Sequence, residues 1–177
     1  MLSGGIDTVF LDRDGTINHK APEGDYVKRP EEFSFLPGAK EALRILTDAG
    51  LRVIVVTNQR GIALGRMSEA DLNQIHELMW AELSDAGAEI AAIYHCPHEQ
   101  GQCDCRKPEI GMFLAAQRDF PGLEFERSVV IGDSQSDMQA AERLGAAQIL
   151  IGSPQAPTIL DAARSVTGQL TSDRSRS

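Results

Sequence analysis

No stretch of this 177-residue chain is long and apolar enough to cross a bilayer; the longest apolar runs, at 53–56 and 149–151, have the length of strands. The N-terminus lacks the basic start and apolar centre of a signal peptide. Positive charge is scarce as well: 17 Lys and Arg stand against 26 Asp and Glu, giving a net charge of −9. Such an acidic surface repels polyanions, which argues against nucleic acid as the main partner. A small phosphorylated metabolite stays compatible, because a metal ion and a few cations can override the global field locally. Cysteine is limited to Cys96, Cys103 and Cys105, an odd and clustered set unlike a secreted disulfide framework. These absences lead us to expect a cytoplasmic monomer: one domain over residues 1–166, large enough for its own core, and a polar, flexible tail over 167–177.

What is present is an alternation of strand and helix signals. Short apolar or β-branched runs at 8–11, 52–56, 91–94, 128–131 and 148–151 read as buried strands. Helical spacing marks 39–49, stopped by Gly50, and 138–144, stopped by Gly145. Ser68 opens a longer helix, with Asp71 completing a capping box and Leu72, Ile75, Leu78, Met79 and Leu83 forming its apolar face. Met79 and Trp80 are read as ordinary packing. The alternation predicts an α/β fold, a three-layer Rossmann-like parallel sheet. In such sheets ligands lie beyond the carboxyl ends of the strands. The polar clusters 12–18, 57–61 and 132–137 each follow a strand, so three segments converge on one edge.

Asp12-Arg13-Asp14-Gly15-Thr16 carries the most chemistry. Two carboxylates at a strand end, with a glycine allowing a sharp turn, suit one group for attack on phosphorus and one for proton transfer. A polar turn serving solubility is the plainer reading of Asp-x-Asp alone; the buried strand before it and Gly-Thr behind it favour catalysis. Cys96, His98, Cys103 and Cys105 offer three sulfurs and an imidazole, which suit a closed, tetrahedral, structural Zn²⁺ site. Free thiols or one disulfide are the alternatives, although a Cys-x-Cys disulfide closes a strained ring and leaves the histidine unexplained. Because Arg106 and Lys107 follow Cys105 directly, a closed metal loop would fix two cations near the aspartates. His19, His76 and His95 lack ligand-like spacing.

Phe10-Leu11-Asp12-Arg13-Asp14-Gly15-Thr16 resembles the first motif of the haloacid dehalogenase-like phosphatases. Val55-Val56-Thr57-Asn58, Arg106-Lys107-Pro108 and Ile131-Gly132-Asp133 with Asp137 resemble the other three, in order. The resemblance implies that Asp12 is the nucleophile and Asp14 the acid/base, that Thr57 holds a phosphoryl oxygen, and that Lys107 neutralises charge. It also implies a Mg²⁺ ion on Asp12, Asp14 (through its carbonyl) and Asp133. Asp137 is either a further ligand or a helix cap.

Cys-Pro-His followed by Cys-Asp-Cys-Arg-Lys-Pro resembles the small capless branch of heptose bisphosphate and histidinol-phosphate phosphatases. Residues 57–65, Thr-Asn-Gln-Arg-Gly-Ile-Ala-Leu-Gly, are similar to the heptose group, and so are Lys107-Pro108-Glu109-Ile110-Gly111-Met112 and Asp25-Tyr26-Val27. The implied reaction removes the C7 phosphate of a heptose 1,7-bisphosphate. The implied substrate contacts are Asp12, Arg13, Asp14, Thr57, Asn58, Gln59, Arg60, Arg106 and Lys107, with Gly24, Asp25 and Tyr26 on the sugar side. Ser134 stands where that group often carries Lys, and residues 21–24 form an extra loop. Histidinol phosphate is the alternative substrate. A non-catalytic zinc-stabilised binding module is the alternative of another class, and it predicts loss of a chemical group that this chain retains.

Overall fold

A computed structural model describes residues 5–174, and their side chains as far as Gly168; residues 1–4 and 175–177 lie outside the described part. Five parallel strands form one sheet in the order β3-β2-β1-β4-β5. They are β1 (Thr8–Leu11), β2 (Arg52–Asn58), β3 (Ala92–Cys96), β4 (Ser128–Gly132) and β5 (Ala147–Leu150). Five helices cover the sheet: α1 (Ala39–Asp48), α2 (Glu69–Asp85), α3 (Gly111–Asp119), α4 (Gln135–Leu144) and α5 (Ile159–Arg174). The period-2 geometry of β1 divides the core. Val9 and Leu11 face α1, α2 and α5 through Leu43, Leu46, Leu72, Ile75, Ile159 and Val166. Phe10 faces α3 and α4 through Phe113, Ala116, Ala140 and Ala141, and its ring meets Phe113 edge-on at 5.0 Å. Both faces of the central strands β1, β2 and β4 are therefore dry, which explains their near-continuous apolar sequence.

The five expected strands and three expected helices are present, with shifted ends. β2 and β3 each run two residues further than their apolar signal, so Thr57, Asn58, His95 and Cys96 belong to strands. The capping box of α2 forms: Ser68 Oγ accepts from Asp71 N at 3.1 Å and Asp71 Oδ2 accepts from Ser68 N at 2.8 Å. Two helices, α3 and α5, were not anticipated. Because α5 runs to Arg174, helix continues past Thr167 into the segment expected to be a flexible tail. Among the described residues no helix is long and apolar enough to cross a membrane.

The chain winds from β1 outward through β2 to β3, then returns to the other side of β1 with β4. The direction of winding thus changes between β1 and β4, and a crevice opens beyond their carboxyl ends. Asp12 follows β1 and Asp133 follows β4, so the topology alone brings these two carboxylates to one place. The register Leu11↔Ile131 puts Asp12 level with Gly132, one residue before Asp133.

Candidate active site

Asp12 leaves β1 with its N–H donating to Ile131 O at 3.0 Å, which ties the first polar residue to the neighbouring strand. Its side chain is nearly buried, and its Oδ1 accepts from Lys107 Nζ at 2.8 Å. The same ammonium donates to Val56 O at 2.8 Å and to Asp137 Oδ1 at 2.7 Å. Lys107 is 2 % exposed, so its charge has no water to lean on. Burial alone would discharge it, but Asp12 and Asp137 win and hold its pKa above the ordinary value. Asn58 fixes the backbone beneath: Lys107 N donates to Asn58 Oδ1 at 3.0 Å, and Asn58 Nδ2 donates to Lys107 O at 3.1 Å.

Asp137 serves two neighbours. One oxygen takes the Lys107 bond; the other accepts from Ser134 N at 3.2 Å and Ser134 Oγ at 2.6 Å, capping α4. Both expected alternatives therefore meet a fuller account: the carboxylate is a helix cap and a counter-charge for Lys107. Gly132 makes room for it, since a Cβ there would stand 2.3 Å from Asp137 Cγ. Asp133 Oδ2 pairs with Lys20 Nζ at 2.5 Å, whereas its Oδ1 is buried without a partner. Gly15, at φ +86°, permits that approach; a Cβ would fall 2.3 Å from Asp133 Oδ2 and 2.5 Å from Lys20 Cε. Carboxylate oxygens of Asp12, Asp133 and Asp137 lie within 4.8 Å of one another. An all-oxygen set with a buried unpartnered oxygen suits a hard divalent cation such as Mg²⁺.

Burial pushes the Asp12 carboxyl up to about 7, against the pull of Lys107 and with help from Asp137. Asp14 goes the other way. Burial opposes it, yet the Arg13 charge and bonds from Asn18, Gln59 and Arg13 hold it below its ordinary value. Arg13 Nη2 lies 3.0 Å from each Asp14 oxygen, Asn18 Nδ2 donates to Oδ1 at 2.8 Å, and Gln59 Nε2 donates to Oδ2 at 2.9 Å. Gln59 Nε2 also donates to Thr57 Oγ1 at 2.9 Å, linking motif one to motif two.

These contacts revise several expectations. Arg13 is fully buried, with its guanidinium spent on Asp14 and on His76, so its side chain faces the fold and not the cavity. Gln59, 1 % exposed, orients Asp14 and Thr57 from behind the site. Arg60 is half-buried and paired with Glu99. Asp25 pairs with Lys28, and Tyr26 packs on Gly61. Two cavities open at this edge. One, about 160 Å³, is lined by Asp12, Asp14, Lys20, Asn58, Lys107, Asp133, Ser134 and Ser136. The other, about 460 Å³, shares Asn58, Lys107 and Ser136 with it and adds Gln100, Gly101, Cys103, Arg106, Pro108 and Glu109. Neither is lined by Gly24, Asp25, Tyr26 or Arg60. Arg106 Nη1 is buried there without a partner. Lys20 is the residue sequence reasoning missed; its only signal was a lone lysine in the loop after motif one.

Cys96, His98, Cys103 and Cys105 converge at the end of β3, and the three thiols are not joined as disulfides. Sulfur–sulfur distances are 3.1 to 3.5 Å, and His98 Nδ1 lies 3.2 Å from Cys105 Sγ. Ligands about 2.3 Å from a tetrahedral centre stand about 3.8 Å apart, so this cluster can close on a metal ion with small adjustments. His95 stays outside it, paired with Glu69 Oε2 at 2.8 Å.

The chain is similar to known proteins in sequence and in fold. The family model described as HAD-hydrolase-like matches residues 104–167. A D-glycero-β-D-manno-heptose-1,7-bisphosphate 7-phosphatase of Vibrio cholerae is 40 % identical over 176 residues, covering 89 % of this chain and 92 % of that protein. The enzyme of that name from Escherichia coli O6:H1 is 41 % identical over 148 residues, covering 79 % of this chain and 76 % of its own length. The crystal structure of D,D-heptose 1,7-bisphosphate phosphatase from B. bronchiseptica, complexed with magnesium and phosphate, superposes with a TM-score of 0.84 at 31 % identity, covering 93 % of this chain and 99 % of that one. With sequence and fold both similar over most of its length, this chain belongs to the haloacid dehalogenase-like phosphatases, in the family of the heptose-1,7-bisphosphate 7-phosphatases.

Proposed function

We propose that this protein hydrolyses the C7 phosphate of D-glycero-β-D-manno-heptose 1,7-bisphosphate. A carboxylate oxygen of Asp12 attacks phosphorus, the bond from phosphorus to O7 breaks, and Asp14 gives a proton to the leaving oxygen. Water then surrenders a proton to Asp14, attacks the same phosphorus and releases inorganic phosphate, restoring Asp12. Arg13 favours the ionised Asp14 that the second step needs. An incoming phosphate dianion favours the protonated form that the first step needs, because like charges disfavour ionisation. Lys107 stays beside Asp12 and meets the negative charge growing on the phosphoryl oxygens. Asp12, Asp133 and the Asp14 carbonyl would hold Mg²⁺, which would supply positive charge against phosphoryl oxygen. The Cys96–His98–Cys103–Cys105 cluster would hold a structural Zn²⁺, which would stiffen the loop leading into Arg106 and Lys107.

The observation that carries the reading is that the two cavities adjoin through the shared residues Asn58, Lys107 and Ser136. The smaller contains the Asp12–Lys107 pair, and the larger is lined by Arg106, a cation suited to a second anionic group at the far end of a bisphosphate. Phosphate release should be measured on the β and α heptose bisphosphates, a hexose monophosphate and histidinol phosphate. The highest kcat/KM is expected for the β bisphosphate; preference for histidinol phosphate overturns the assignment.

A further inference from the structure

Behind Asp14 runs a chain of contacts that the reaction above leaves unused. Arg13 divides its nitrogens. Nη2 faces both Asp14 oxygens, Nε lies 3.3 Å from Asp14 Oδ1, and Nη1 lies 3.1 Å from Nε2 of His76 on α2. A guanidinium only donates, so the last contact is a hydrogen bond when Nε2 carries no proton and accepts. That is the form the site imposes: burial first, then the Arg13 charge, pushes the His76 imidazole down to about 3. His76 is buried on α2, and its ring meets that of His95 at 6.2 Å between centroids.

We propose that His76 is a positioning residue for the acid/base step. By accepting from Nη1 it fixes the guanidinium plane of Arg13, and the planar fork of Arg13 in turn fixes the Asp14 carboxylate. Asp14 is bonded by Arg13 and Asn18 of its own loop and by Gln59 beyond β2, and Arg13 is in turn anchored to α2 through His76. Without that anchor, Arg13 can turn about its side-chain bonds and carry Asp14 with it. The inference rests on the assignment of acid/base chemistry to Asp14.

The test compares His76→Phe, which keeps ring volume and removes the acceptor, with His76→Gln, whose amide oxygen reaches about as far as Nε2. Both are assayed on the β heptose bisphosphate with saturating Mg²⁺. His76→Phe is expected to lower kcat roughly 10- to 100-fold, as a displacement of about 1 Å does, with KM within about twofold of the parent. His76→Gln is expected to restore most of kcat. Wild-type kcat in His76→Phe, equal losses in both variants, or a loss confined to KM each overturns the proposal. Trp80, the only tryptophan, lines the groove between α2 and β3 with His76 and His95, so its emission reports whether that region keeps its structure. Should His76→Phe fail to fold, His76→Gln decides alone: kcat near the parent supports the role and a large loss refutes it. A parent protein with no turnover of this substrate would remove the functional reading instead, a separate result.

Discussion

Asp12 and Asp14 stand two residues apart in one loop, yet different parts of the chain hold them. Asp12 meets Lys107, 95 residues away, in a nearly dry pocket that raises its pKa to about 7. Asp14 is held by its neighbours Arg13 and Asn18 and by Gln59, and its pKa is lowered. Equal side chains thus acquire unequal chemistry from their surroundings. The carboxylate facing a lysine and a divalent-cation site suits attack on phosphorus once a cation beside it lowers its pKa. Asp14, ionised by its donors, suits taking a proton from water, and an incoming phosphate dianion raises its pKa for the donating step.

The largest effects should come from breaking either member. Asp12→Asn removes the nucleophile and is expected to lower kcat by roughly 10⁴-fold or more in phosphate-release assays. Asp14→Asn keeps the geometry but not the proton, so a loss of about 10²- to 10⁴-fold is expected, smallest for substrates with good leaving groups. Equal losses across leaving groups would argue against proton donation by Asp14.

Lys107→Met attacks the contrast from the other side. It leaves Asp12 and Asp137 buried together without a counter-charge, and breaking such a buried pair costs about 3–5 kcal/mol, to be read by urea denaturation. The loss is expected to shrink at pH 4, where Asp12, with its raised pKa, is protonated.

The smallest effect is the most specific. In metal-free protein the two carboxylates should give stability opposite dependences on pH. Asp12 ionises at 3.8 when unfolded and near 7 when folded, so its contribution is full at low pH and is lost as pH rises from about 4 to about 7. Asp14, with its folded value lowered, contributes stability above its ordinary 3.8 and loses it as pH falls below. Thermal melts should therefore show Asp12→Asn flattening the neutral limb and Asp14→Asn flattening the acid limb. The same slopes in both variants would refute the contrast.

The halves of this comparison were unequally legible in the sequence. Strand ends followed by polar clusters marked Asp12, Thr57 and Asp133, because apolar runs and their interruptions are local signals. The Cys/His cluster was legible for the same reason, four ligands lying within ten residues. The roles of Arg13 and Gln59 were not, since a polar or charged residue in a loop is ordinarily solvated and only tertiary packing buries it. His76 was hidden by its own helix: at helical spacing from Leu72 and Met79 it reads as part of the packed face, and its partner is 63 residues away. Lys20 depends on the missing Cβ of Gly15, a relation visible only in three dimensions. Helix α3 starts at a glycine without a side-chain cap, so no start signal announced it.

The account turns on Asp12 as the phosphoryl acceptor. The most direct test is a single turnover of the wild-type enzyme on the heptose bisphosphate, quenched in acid, reduced with borohydride and mapped by peptide mass spectrometry. Borohydride converts an aspartyl phosphate to homoserine, so the account predicts homoserine at position 12 and unmodified Asp14. Homoserine at position 14, or phosphate released with no modified aspartate at any quench time, would contradict it.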